Sequence, residues 1–123
     1  MKKLVVFLLL SFMLRPYSAH AVYLTSRELT EECLATADKD TFYCLGYIAG
    51  VIDYHVMLQS LGTAPTIDFC LPPGLPVDQA AVTVLSYLRK YPQNSDFIAG
   101  PTIALALHAK FPCAAPTPRK KKK

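Results

Sequence analysis

The chain is poor in the residues that catalysis and metal binding draw on most often. It has three histidines in 123 residues, and His20 falls in an N-terminal stretch expected to be removed, which leaves His55 and His108. There is no Cys-x-x-Cys pair and no histidine four residues from another, so the ligand spacings of common zinc sites are absent. Asp53 and His55 sit two apart in a helix-forming stretch and point in different directions, so they make no dyad by themselves, and a satisfied, partly buried Asp53 is the simpler reading. No catalytic residue, cofactor or metal site is therefore expected. No internal repeat is present, and no strand-like alternation runs long enough to compete with helical periodicity.

What is present is cysteine in an exported setting. Lys2 and Lys3, an apolar run from Leu4 to Leu14 and Ala19-His20-Ala21 have the three parts of a secretory signal, with cleavage expected after Ala21. The run is short for a bilayer span, and no cysteine stands at the cleavage site to take a lipid, so the mature chain is expected to be soluble, extracytoplasmic and without stable membrane insertion. Cys33, Cys44, Cys70 and Cys113 all follow the signal. An even cysteine count in a short exported chain implies a disulfide framework, and oxidised cysteines are not nucleophiles.

Charge is unevenly placed. Between residues 22 and 118 the chain carries five basic residues, Arg27, Lys39, Arg89, Lys90 and Lys110, against nine acidic ones, while Arg119 to Lys123 are all basic. The pI near 8.9 thus averages an acidic body and a basic tail, and it is no argument for nucleic-acid binding. The Lys120–Lys123 tail is either a solvated end or an anion-binding patch whose affinity falls with salt.

The expected organisation is a signal at 1–21, one helical domain at 22–113, and a disordered Pro/Lys-rich tail at 114–123. Thr25-Ser26-Arg27-Glu28 has capping-box spacing, with Leu24 and Leu29 placed as a hydrophobic staple, and predicts a helix to about Ala37. Asp40 is a plausible cap for a second helix over about 41–60, apolar nearly all round and so expected to be the central, buried one. Gly46 and Gly50 lie four apart on it. Each costs about 1 kcal/mol in propensity against alanine, and close packing of another helix is the expected return. A phosphate cradle or a membrane dimer motif fits less well, since no strand precedes the pair and no apolar membrane span is seen to contain it.

Gly62 should end that helix, and the Gly- and Pro-rich stretch from Leu61 to Pro76 should be a long loop. Val77, Ala80, Ala81, Val84, Leu85 and Leu88 form one stripe of a third, amphipathic helix, stopped at Tyr91-Pro92. A fourth is expected from near Pro101 to near Phe111. The fold class is all-α, a bundle of about four helices stapled by two disulfides. Three connectivities are open. Two helical hairpins would favour Cys33–Cys44 and Cys70–Cys113, each contributing roughly 3 to 4 kcal/mol in the loop-entropy model. The segments freest to bind a partner are Gly62 to Pro73, beginning Gly62-Thr63-Ala64-Pro65-Thr66, and Gln93-Asn94-Ser95-Asp96. Some of Tyr43, Tyr47, Tyr54, Tyr87 and Tyr91 could anchor an interface.

Cys44-Leu45-Gly46-Tyr47-Ile48-Ala49-Gly50-Val51-Ile52-Asp53, then Phe69-Cys70-Leu71-Pro72, then Tyr87-Leu88 with Tyr91-Pro92, then Ala104 to Ala106 and Phe111-Pro112-Cys113 form an ordered set. In that order they resemble the Rap/Tai immunity proteins of type VI secretion, over most of 33–113. The family's cysteines match Cys44, Cys70 and Cys113, with Cys33 fitting by position. The resemblance implies a periplasmic, mostly helical protein, often a homodimer, that neutralises a secreted peptidoglycan amidase by placing a protruding loop in its active-site cleft and performs no reaction itself. The family's loop has no shared motif that would assign contact residues here, and the basic tail departs from its usual pattern. The alternative is an exported envelope-stress or chaperone-like helical protein that exposes apolar surface in acid.

Overall fold

In the computed structural model, which describes residues 24–114, four α-helices follow one another: α1 (Ser26–Leu34), α2 (Asp38–Ser60), α3 (Val77–Lys90) and α4 (Ala99–Lys110), with a 3₁₀ turn at Pro92–Asn94. No strand longer than an isolated bridge occurs among the described residues. The expected signal peptide and cleavage site, and the lysine tail from 115 onward, lie outside them.

Local chemistry explains most of the boundaries. The capping box forms: Glu28 N–H donates to Thr25 Oγ1 at 3.2 Å, and Thr25 N–H donates to Glu28 Oε2 at 2.8 Å. The Thr25 N–H bond foremost, with a second donated by the Thr25 hydroxyl to Glu28 Oε2 at 2.8 Å, holds the Glu28 carboxyl below its usual range. Leu24 and Leu29 are both buried, as a staple requires. Helix α1 ends at Leu34, three residues short of the expected Ala37, and α2 begins at Asp38. Asp40 is thus a first-turn residue and not the cap. Ala37 occupies the cap position without a side-chain bond, and Asp38 and Asp40 place negative charge at the helix's positive end. The far end of α2 closes in a Schellman motif, with Gly62 N–H donating to Gln59 O at 3.0 Å and Thr63 N–H to Leu58 O at 2.9 Å. Gly62 has φ 71°, the left-handed conformation that such an end requires of its residue.

The stripe on α3 is buried as its spacing predicts, Ala80, Ala81, Val84 and Leu88 facing the core with Val77 and Leu85 at its edge. Helix α4 starts two residues before Pro101, and its first amide, Ala99 N–H, donates to Leu24 O at 2.7 Å. The core gathers Leu29, Ile48, Phe69, Val84, Ile103 and Leu107 from every helix and from the long connection. Helix α1 packs chiefly on α2, and α3 on α4. Both disulfides follow from that arrangement, Cys33–Cys44 across the first turn and Cys70–Cys113 between the long connection and the end of α4.

The 23-residue α2 departs from expectation. Only Cys44, Ile48 and His55 are buried on it, and Phe42, Tyr54, Val56 and Met57 face solvent. Three short partners cover one side of so long a helix and leave the other bare. By length and composition α2 is also apolar enough to cross a membrane, so the glycine pair does lie within such a span, contrary to the expectation.

Candidate functional site

The connection between α2 and α3 is two structures in succession. Residues 62–67 are exposed, and Gly62, Thr63, Ala64, Pro65 and Thr66 all belong to this stretch. Residues 68–70 are then seized from three directions. From α2, His55 Nε2 lies 2.7 Å from Asp68 Oδ1 and 3.3 Å from Phe69 N, while Gln59 Nε2 donates to Asp68 Oδ1 at 2.7 Å and to Phe69 O at 3.0 Å. From α4, His108 Nδ1 bonds Asp68 O. From the C-terminal side, Cys70 N–H donates to Phe111 O at 2.9 Å, beside the Cys70–Cys113 disulfide.

Phe69 fills the centre of this clamp. Its ring is 1% exposed and stacks on the His55 imidazole with centroids 3.8 Å apart. The Gln59 amide foremost, with His55 reinforcing it and desolvation opposing, holds the Asp68 carboxyl below the usual carboxylate range. His55 is therefore a buried structural histidine. Its partner is Asp68, thirteen residues along, whereas Asp53 is exposed and not the partly buried residue expected. A pairing across a loop leaves no local spacing to read, and only the position of Asp68 just before Phe69-Cys70 could have pointed to it.

An open, apolar groove of about 810 Å³ runs alongside the exposed stretch. Gly46 and Gly50 of α2 line it, Gly100 and Pro101 at the start of α4 face them, and Pro65 and Ile67 of the loop form a wall. A Cβ added at Gly46 or Gly50 would meet nothing within 4 Å. The expectation that another helix packs closely on these glycines is thus corrected: the missing side chains form the groove. At Gly100 the nearest atoms to an added Cβ are Tyr47 Oη at 3.9 Å and Val51 Cγ2 at 4.0 Å. Burial, then the neighbouring Tyr43, pushes the Tyr47 phenol above its usual range against an opposing backbone bond at Gly100, so it stays a neutral group at the groove's edge.

The second expected binding loop serves the fold. Ser95 O accepts from Arg27 N–H at 2.9 Å and Phe97 O from Ser26 N–H at 2.8 Å, so this segment satisfies the open amides at the start of α1. Asn94 is buried and bonds the Tyr87 hydroxyl at 3.4 Å, while Asp96 pairs with Arg27 in solvent. Gln93 and Asp96 remain exposed, but the backbone between them is committed. Among the described residues no three His, Cys, Asp or Glu side chains converge on a metal-sized site.

A family model for Rap1a immunity proteins matches residues 25–113, from the capping threonine to the last cysteine. The chain belongs to the Rap1a immunity protein family. Comparison with curated proteins and with solved structures found no match. As a Rap1a family member the chain is an immunity protein directed at a secreted effector. The stress-protein alternative has no such support.

Proposed function

We propose that this Rap1a family protein acts in the periplasm and neutralises a type VI secreted peptidoglycan amidase by inserting the 62–67 loop into its active-site cleft. It blocks access by binding and performs no chemistry of its own. The observation that carries the reading is the contrast within one connection: an exposed tip on a base held by His55, Gln59, His108 and the Cys70–Cys113 disulfide. A loop anchored at both ends has fewer conformations to lose on association than a free segment, so more of its contact energy appears as affinity. The excess of carboxylates in the body, nine against five basic groups, would also speed approach to a basic cleft rim.

The test is a peptidoglycan-digestion assay with the amidase encoded beside this chain, titrated with the oxidised protein. Stoichiometric loss of digestion is expected, together with its recovery when Thr63 to Thr66 are replaced by Gly and Ser. Full digestion at a tenfold excess of the intact protein would reject the reading. A homodimer belongs to the same proposal and is read from the solution mass of the free protein.

A further inference from the structure

Among the described residues, nothing fills the groove beside the loop. We infer that it is a second docking element, which receives an uncharged, apolar segment from the rim of the same effector cleft that takes the loop; this rests on the reading above. The glycines make the space. Gly46 and Gly50 lower helix propensity, and among the described residues a Cβ added at either would meet nothing within 4 Å, so no packing contact there offsets the cost. Among the described residues no Asp, Glu, Lys or Arg lines the groove, and the polar contributors are Tyr47, Tyr54, His55 and Thr66. An occupant bearing a charge would lose hydration there without gaining a partner. The volume of about 810 Å³ falls within the range of sites that bury a compact apolar group.

Continuity with the loop identifies the occupant. Pro65, Thr66 and Ile67 are at once the end of the exposed stretch and one wall of the groove. A body into which the loop projects must therefore lie over the groove mouth. A second copy of this chain seated in the groove would press on that wall and obstruct the loop. A bilayer fits poorly, because no Lys or Arg among the described residues lines the groove to meet anionic headgroups. Tyr54, 61% exposed at the rim, supplies the amphipathic ring common where apolar contacts meet water.

The test fills the groove without touching the loop. Gly46→Leu and Gly50→Leu each add a side chain where the space is open, and both gain helix propensity, so circular dichroism and Tm should be unchanged or improved. Binding to the adjacent-encoded amidase should weaken at least tenfold, mainly through faster dissociation, while Gly50→Ala, which leaves most of the volume, keeps its affinity within about twofold. Unchanged affinity in the folded Leu variants overturns the inference. If the 63–66 loop replacement abolishes inhibition and the Leu variants do not weaken binding, the groove inference falls and the loop reading stands; the converse leaves the groove and removes the loop. Leu variants that lose only dimer mass, or only binding to phosphatidylglycerol vesicles, while still inhibiting fully would assign the groove to another occupant and overturn the inference.

Discussion

Two connections in this protein look alike as sequence and do opposite work. The one after α2 and the one after α3 are both polar, proline-containing and placed between helices, yet one presents a free stretch and the other is a brace. The difference lies in where the backbone hydrogen bonds go. In 93–97 the carbonyls of Ser95 and Phe97 serve the amides of α1, and the segment carries part of the bundle's assembly. In 62–67 they serve nothing distant, because the restraint is concentrated just beyond, on Asp68, Phe69 and Cys70. Holding a loop at its base, and not along its length, is what leaves a surface that is fixed in position at its ends and uncommitted between them.

The sharpest way to break that contrast is Phe69→Ala. The ring is fully buried under His55, so its loss should lower unfolding free energy by about 3–5 kcal/mol in a denaturant titration and free the loop base together with it. Next in size is the disulfide. Replacing Cys70 and Cys113 by Ser releases a closure of 43 residues and should cost about 4 kcal/mol in the chain-entropy model. The same change at Cys33 and Cys44, separated by 11, should cost about 3 kcal/mol and leave the loop base intact. A reversed order would show that the clamp holds without its cross-link.

A smaller effect tests the clamp's charge. The Asp68 carboxyl has a lowered pKa in the folded chain, so its stabilisation is fully present above the ordinary carboxylate pKa of about 3.9 and is lost as pH falls through the folded value. Asp68→Asn should lower stability by about 1 kcal/mol at pH 7 and flatten the decline below pH 4, measured as Tm against pH. On the brace, Asn94→Ala should cost about 1 kcal/mol by chemical denaturation, since a buried amide bonded to Tyr87 is removed. The least effect is expected from Arg27→Ala, under about 0.5 kcal/mol by the same measurement, because that pair with Asp96 is exposed on both sides.

Much of the fold was legible residue by residue. The Thr25/Glu28 capping box, the α3 stripe, the Gly62 stop and the two cysteine pairings all rest on interactions close in sequence or on the geometry of hairpins. The apolar character of α2 misled, because composition reports what a helix could bury and not how much partner surface is available. Three short helices cannot surround one of 23 residues. Gly46 and Gly50 misled for the same reason: small residues permit close approach, and whether anything approaches depends on the rest of the bundle.

By itself, then, the sequence determined the helical class, the Gly62 stop and that the four cysteines cross-link, since caps, periodicity and oxidised cysteines act over short distances or through unavoidable chemistry. The tertiary structure alone decided which loop is free, which aspartate holds His55, and where a groove opens. Those outcomes depend on which surfaces meet across a loop or across the bundle, from the 13 residues between His55 and Asp68 to the 40 between Asp68 and His108 of α4. No local energy term encodes that meeting; it follows from the burial of Phe69 and its neighbours in a core that all four helices share.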